Sequence, residues 1–274
     1  MKKLLVAGAV VACFGSTGAW ADTQEEVNKQ ISKLIGDAVS TRVSSSVAAQ
    51  ADAQLPNNVW GTYSNLGIKA GGTNVHTDIG VVGYDREISK NITVGAALSY
   101  SNTGKFDSDD WGISPYIAYR FNTSMFGVLR ANYTDGSSDS GSTHTNYRSD
   151  GIAASINGVH NFDKVYLQWR GEVGGTESRS STRGHSSTTS STIYIADGEV
   201  GYRFDNGVRG FAGLQLSTTN RDDSYGAYAR IGLEKELGKN GAINIKYETL
   251  VDDSYPRGTN LSVDTFSIGA RLRF

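Results

Sequence analysis

Apolar and polar residues alternate one by one along most of the chain from Trp60 onward. One face of residues 91–102 carries the apolar side chains Ile92, Val94, Ala96, Leu98 and Tyr100, and small or polar residues lie between them. A period of two is typical of a β-strand with one apolar and one polar face. The same pattern predicts twelve strands, at residues 58–69, 74–88, 91–102, 109–121, 124–134, 146–161, 164–175, 191–204, 207–217, 224–237, 241–251 and 262–274.

The predicted connections alternate between short and long. Short turns fall at 89–90, 122–123 and 205–206 and around Asp163 and Asn240, and long loops are predicted at 103–109, 135–145, 175–192, 217–224 and 252–262. The first connection, 70–73, is short where the alternation requires a long one. An even number of strands with alternating connections favours an antiparallel transmembrane β-barrel, with short periplasmic turns and long external loops.

The polar faces of these strands carry many charged residues of both signs. A water-filled lumen suits such charges, whereas an apolar outer band with aromatic girdles suits lipid. We therefore predict a charge network in the lumen that pairs across the barrel and seats a helix, or alternatively sets the selectivity of a channel. Its members are Arg120, Arg130, Arg170, Glu172, Glu199, Arg203, Arg230, Glu234, Lys246, Glu248 and Arg271.

Residues 24–54 follow a different period. Val27, Ile31, Leu34, Ile35, Ala38, Val39 and Val43 recur at helical spacing. The spacing predicts one amphipathic helix of about 30 residues, or about 45 Å. Pro56 marks its end. We assign residues 22–54 to this helical segment, as a lumen plug or linker, and residues 55–274 to the barrel.

The first 21 residues have the features of an export signal. Lys2 and Lys3 precede a short apolar stretch, and Ala19-Trp20-Ala21 fits a small-x-small cleavage site. The sequence thus predicts a signal peptide at 1–21, Sec export and a bacterial outer-membrane location. An alternative is a lipoprotein signal with Cys13 as the lipidated residue.

Composition excludes several classes of function. The formal charge of −2 gives no basic stripe for nucleic acid. The four His and the single Cys show no metal spacing, and no catalytic constellation is present in the sequence. We therefore predict a protein that is not an enzyme and that uses no cofactor.

Residues 83–103, with Gly-x-Asp, a short turn and then Gly-x-Ala-x-x-Tyr-Ser, resemble the β-domain of autotransporters, the type V secretion family. Residues 114–121, 201–204 and the closing Arg-Leu-Arg-Phe also fit this family. The resemblance implies a barrel of twelve strands whose lumen holds an N-terminal helix that links to an exported passenger. Only residues 22–54 lie between the predicted signal and the barrel, so we expect the passenger to be absent or reduced. Some members cleave themselves at an Asn-Asn pair in the helix, whereas Asn57-Asn58 is predicted to be a turn at the barrel entrance.

The chain closes on an alternating segment that ends in an aromatic residue. Phe266, Leu272 and Phe274 share its apolar face, and they resemble the C-terminal signature that the barrel-assembly machinery recognises. The expected partners are this machinery, outer-membrane lipid and lipopolysaccharide. Three functions follow: an autotransporter-type barrel with a helix in its lumen, a small diffusion channel for anions or oligosaccharides, or a surface-loop adhesin or structural protein.

Overall fold

The computed structural model describes residues 57–70, 73–104, 108–140, 143–182, 185–220, 225–238, 240–254 and 261–274, together with Gly36, Asp37 and Val39. The predicted signal peptide and most of the predicted helical segment lie outside the described residues. Gly36, Asp37 and Val39 have helical backbone. No helix among the described residues is long and apolar enough to cross a membrane.

All twelve predicted strands form, and they close into one antiparallel barrel. Each strand pairs with its neighbours in sequence, and the last strand pairs with the first. The strands are β1 (Asn57–Ala70), β2 (Thr73–Glu87), β3 (Ile92–Thr103), β4 (Ser108–Arg120), β5 (Met125–Ser140), β6 (Thr143–Phe162), β7 (Val165–Thr182), β8 (His185–Arg203), β9 (Val208–Thr219), β10 (Tyr225–Leu237), β11 (Gly241–Asp253) and β12 (Ser262–Arg273).

The two ends of the described barrel chain meet at the β1–β12 seam. The backbone N of Asn57 donates to the carbonyl of Phe274 at 2.9 Å, and the N of Phe274 donates to the carbonyl of Asn57 at 3.0 Å. The terminal phenylalanine is therefore part of the barrel closure. The prediction of a turn at Asn57-Asn58 is wrong, because both residues belong to β1 and pair with β2 and β12.

The barrel has two distinct ends. Short turns join β2–β3, β4–β5, β6–β7, β8–β9 and β10–β11, and we call this the turn end. Three residues in these turns have positive φ, namely Asp163, Gly207 and Gly238, as tight turns between antiparallel strands require. The opposite end is called the loop end.

Two of the predicted long loops are mostly strand. β5 and β6 continue to Ser140 and from Thr143, and β7 and β8 continue to Thr182 and from His185. These four strands have 16, 20, 18 and 19 residues, whereas crossing a bilayer needs about 9–11. Their Ser/Thr-rich ends thus extend the wall beyond the apolar band. There, Asp139 accepts a hydrogen bond from His144 and raises the pKa of the imidazole above its usual value.

The outer face of the barrel is apolar and its inner face is mostly polar. Large apolar side chains such as Leu214, Ile231 and Val82 are more than half exposed on the outside, up to 64% for Leu214. Aromatic residues lie near the strand ends, for example Tyr119 with Phe121 and Tyr202 with Phe204 at the turn end. This polarity is the reverse of that of a soluble barrel and is typical of a barrel in lipid.

The inner face is not uniformly polar, which the alternation alone did not indicate. Most of the clustered apolar side chains lie on the first six strands, joined by Tyr228 on β10 and Val263 on β12, and Val39 of the helical segment is buried among them. The cluster includes Trp60, Leu66, Ile68, Ile79, Val81, Ala97, Ala118, Val128 and Val159. The lumen therefore has an apolar side that faces a more highly charged side on β7 to β12.

Several aromatic rings lie flat over a glycine on the neighbouring strand. Trp60 covers Gly83, Tyr116 covers Gly95 and Tyr166 covers Gly201, and the two residues of each pair are directly opposite in the register. Glycine is required because a side chain would occupy the space of the ring. The ring in turn packs over backbone that the glycine leaves bare.

Replacement of Gly95 by alanine is expected to lower the free energy of unfolding by about 1–3 kcal/mol. The new Cβ would lie 2.6 Å from Cζ of Tyr116, so the ring must move. Its hydroxyl now donates to the buried carboxylate of Asp85 at 2.9 Å. Urea unfolding of the refolded protein in detergent measures the change. Gly80→Ala is the matched control, since a Cβ there meets nothing within 4 Å. Equal stability of the two variants would contradict the prediction.

Candidate functional site: the luminal charge network

Among the described residues of the helical segment, Asp37 contacts the charged wall of the lumen. Asp37 Oδ1 accepts a hydrogen bond from Nη2 of Arg170 on β7 at 2.6 Å, and Oδ2 accepts one from Nζ of Lys246 on β11 at 3.0 Å. Gly36 precedes Asp37, and a Cβ at Gly36 would lie 3.2 Å from Nη1 of both Arg130 and Arg170. The absence of a side chain at Gly36 thus allows two guanidinium groups to approach the helix backbone.

Arg230 on β10 connects two carboxylates of β8. Its Nη1 and Nη2 donate to the two oxygens of Asp197 at 2.8 and 2.6 Å, and its Nε donates to Glu199 at 3.2 Å. Glu199 also accepts a hydrogen bond from the hydroxyl of Tyr166 at 2.7 Å. Asp197 lies 3.4 Å from Nη2 of Arg170. One continuous network therefore runs from Asp37 through β7 and β8 to β10.

Two further groups of charges lie on the inner face. Arg130 on β5 donates to Glu172 on β7 at 2.6 Å, and both side chains are nearly inaccessible. Glu234 on β10 accepts from Arg209 on β9 at 3.1 Å and from Arg271 on β12 at 3.2 Å. The Arg130–Glu172 and Arg271–Glu234 bonds join strands that are not adjacent, β5 with β7 and β10 with β12, so these two bonds brace the wall beyond the backbone ladder.

Cations and carboxylates alternate through the network, so each charge is neutralised locally. A cavity of about 110 Å³ lies among them, lined by Asp37, Arg170, Asp197, Arg230 and Lys246 with other described residues. Buried charges are tolerated when they are paired and hydrogen-bonded. The arrangement suits the seating of a charged segment better than a filter of one sign.

The structure brings eight of the eleven predicted network residues into these groups: Arg130, Arg170, Glu172, Glu199, Arg230, Glu234, Lys246 and Arg271. The other three make other contacts, although Arg203 and Glu248 still border the network, with the Arg203 guanidinium 5.7 Å from the ring centroid of Tyr166. Arg120 donates to the carbonyl of Lys90 in a turn at 3.0 Å, and Arg203 donates to Asn161 at 2.7 Å near another turn. Glu248 is buried in the wall beside Arg230 in the register.

Four residues that shape the network were missing from the predicted set, namely Asp37, Tyr166, Asp197 and Arg209. The sequence analysis did not select Asp37 because the helical pattern was defined by apolar positions. The available signal was Gly36, the single glycine in the sequence between residues 22 and 56, since a glycine in a helix can mark a point of close approach. Tyr166 was assigned to the predicted strand without a role. Tyr166 alternates with the apolar residues Val165 and Leu167, and this alternation was the signal in the sequence that its side chain lies on the inner face.

The predicted assembly residues all lie on the outer face at the seam. Phe266, Leu272 and Phe274 are exposed on that face, and their recognition by assembly machinery stays a prediction. Among the described residues, no group of His, Cys, Asp and Glu is arranged to hold a metal ion.

Comparison with known proteins places this geometry in a class. The chain matches no protein-family model and no curated protein sequence. It is similar in structure to the translocator domain of the autotransporter NalP from Neisseria meningitidis, with a TM-score of 0.61 and 15% identity over 97% of this chain and 100% of that chain. It is similar to the β-domain of the Bordetella autotransporter BrkA, with a TM-score of 0.56 and 18% identity over 79% of this chain and 98% of that chain.

A channel is also similar. An outer-membrane channel from Pseudomonas putida F1 gives a TM-score of 0.50 and 10% identity over 82% of this chain and 97% of that chain. The resemblance to autotransporter barrels predicted from the sequence is confirmed at the level of the fold. The chain is thus an outer-membrane-type β-barrel, and these neighbours are not enzymes.

Proposed function

We propose that this protein is an autotransporter-type translocator barrel whose lumen is occupied by the helical segment of residues 22–54. The observation that carries the proposal is the position of Asp37, which bonds Arg170 on β7 and Lys246 on β11 at once. A carboxylate that contacts both β7 and β11 lies within the lumen, enclosed by the barrel wall, rather than outside the barrel. Both cations need an acceptor because removing buried charges from water is costly.

The two sides of the lumen match the two faces expected of an amphipathic helix. Val39 is buried in the apolar cluster of the inner wall, while Asp37 faces the cations. Gly36 allows Arg130 and Arg170 to approach the backbone. Three neighbouring residues of the segment therefore fit three different features of the wall, which supports a specific seat in the barrel.

The proposed orientation follows from the connections. Short turns belong to the periplasmic side of outer-membrane barrels, so the turn end faces the periplasm and the loop end faces outward. The predicted contact of β12 with assembly machinery then takes place at the periplasmic side, where Phe274 closes the seam.

A diffusion channel is the alternative, and the similarity to an outer-membrane channel supports it. A channel selective for anions needs an excess of cations along an open lumen. The luminal network instead alternates in sign, and Asp37 occupies two of its cations. The adhesin hypothesis assigned binding to long loops, but most of the two longest predicted loops is strand, in the extended ends of β5 to β8. Binding by this polar extension of the sheet stays a prediction.

Planar-bilayer conductance tests the proposed function. The refolded mature protein is expected to be silent, whereas the same protein without residues 22–54 is expected to conduct, because loss of the segment opens the lumen. Heat-modifiable mobility on a gel controls for folding of both forms. If both forms conduct alike, the segment does not close the lumen and the channel hypothesis is favoured.

A further inference from the structure

The outer face near the loop end contains a groove over β6, β7 and β8. Its volume is about 540 Å³, and Ile152, Gly175 and Thr192 lie across it in one row of the register. A Cβ at Gly175 would meet no heavy atom within 4 Å, so this glycine forms the floor of an open depression. We call it the Gly175 groove. Its size is in the range of small-ligand sites, which is roughly 300–1,000 Å³.

Two arginines lie directly opposite each other beyond the groove. Arg148 on β6 pairs with Arg179 on β7 in the register, and Asp150 pairs with Glu177 one step nearer the groove. Like charges opposite each other in a sheet repel. Each arginine is held by the carboxylate on its own strand, with Arg148 3.4 Å from Asp150 and Arg179 2.6 Å from Glu177.

These arginines keep donors for another group. Within the described part of the chain, the hydrogen bonds to Asp150 and Glu177 use Nη2 of Arg148 and the Nε and Nη2 atoms of Arg179. Both side chains are at least half exposed. Paired guanidinium groups bind phosphate well because their planar donors match its oxygens.

The groove lies at the boundary between the apolar band and the polar extension. The Arg148 guanidinium stacks 4.7 Å from the ring centroid of Tyr133, which lies 5.4 Å from that of Trp111. Such aromatic girdles mark the membrane interface of barrels. Ile152 is 57% exposed at the groove and Val173 is exposed beyond it. The opposite side of the groove is lined by Asp150 and Glu177, which separate it from the two arginines, so the groove has an apolar side towards the band and an acidic side towards water.

We propose that the Gly175 groove binds the phosphorylated sugar head group of an outer-leaflet glycolipid. A phosphate lies on Arg148 and Arg179, the sugar contacts the hydroxyl groups of Ser190 and Thr192, and the start of an acyl chain packs on Ile152 and over Gly175. Asp150 and Glu177 hold the two arginines in place. The inference rests on the proposed outer-membrane location, but it does not depend on the segment in the lumen.

Native mass spectrometry of the refolded full mature protein in detergent tests the proposal, with lipid A as the probe. The variant with Arg148→Gln and Arg179→Gln is expected to bind lipid A at least about tenfold more weakly than the wild type, because its charged hydrogen bonds to phosphate are lost. Arg86→Gln, an exposed arginine of β2 at the turn end, is the matched control and is expected to bind normally. Lipid A without its phosphates is expected to bind equally weakly to all forms.

A second variant fills the groove without changing a charge. Gly175→Leu is expected to weaken lipid A binding to a similar degree, while Gly171→Leu, where a Cβ also meets nothing within 4 Å, leaves binding unchanged. Heat-modifiable mobility shows that each variant is folded. The proposal is overturned if the double arginine variant and Gly175→Leu both bind lipid A as well as the wild type does. It is also overturned if the wild type binds phosphatidylglycerol as well as lipid A, which would show a general contact with anionic lipid. The lipid-binding test is independent of the conductance test: if both forms of the barrel conduct alike, the expected lipid A binding is unchanged.

Discussion

Replacing Asp37 by arginine is expected to convert a silent barrel into a conducting one. The new cation would lie beside Arg170 and Lys246, which now donate to the Asp37 carboxylate at 2.6 and 3.0 Å. Removing one partner of a buried ion pair costs about 3–5 kcal/mol. That cost lowers the ratio of seated to released segment by a factor of roughly 100 to 4,000. Single-channel recording in planar bilayers measures the open fraction.

The matched control is Asp205→Arg, at a side chain that is 87% exposed in a turn. It carries the same change of charge but does not touch the lumen, so it is expected to remain silent. Adding Lys246→Asp to Asp37→Arg restores one opposite-sign pair and is expected to lower the open fraction. A silent Asp37→Arg protein, folded by its gel mobility, would show that this carboxylate does not hold the segment.

Replacing Asp197 by alanine is expected to destabilise the barrel by about 3–5 kcal/mol. Asp197 is the acceptor that Arg230 binds through two nitrogens and that Arg170 also approaches. The Arg170 and Asp197 side chains are only 4% and 8% exposed, so loss of the carboxylate leaves buried guanidinium groups without this charged partner. Denaturant unfolding of the refolded protein, followed by tryptophan fluorescence, measures the loss.

Asp150→Ala provides the comparison at the surface. Asp150 pairs with Arg148 across 3.4 Å and is 42% exposed, so its loss is expected to cost at most about 1 kcal/mol. Asp197→Asn keeps the shape but removes the charge, and its stability is expected to fall between wild type and Asp197→Ala. If Asp197→Ala unfolds at the same denaturant concentration as Asp150→Ala, the luminal network does not stabilise the barrel.

The strand pattern could be predicted because each strand of a membrane barrel carries its own alternation. β3, for example, is predicted at 91–102 and observed at Ile92–Thr103. The extension of β7 and β8 to Thr182 and His185 was not predictable in the same way. Its Ser and Thr residues are polar on both faces, so no alternation is present, and the backbone pairing between the two strands decides the structure.

Some features of the candidate site could likewise be predicted from the sequence, and others could not. The sequence showed that charges such as Arg170, Glu199 and Arg230 lie on the inner face, because parity along a strand fixes the side. It did not show that Arg230 reaches Asp197 and Glu199, since that contact joins strands that are not adjacent and depends on side-chain reach across the curved wall.

The sequence by itself determined the number of strands, the side of the wall on which each residue lies and the position of Phe274 at the end of the last strand. These properties follow from a period of two that is local to each segment. The tertiary structure decided the partners: the pairing of Asp37 with Arg170 and Lys246, the apolar side of the lumen around Val39 and the opposition of Arg148 and Arg179. Each of these depends on strand register and barrel closure, which bring together residues far apart in the chain.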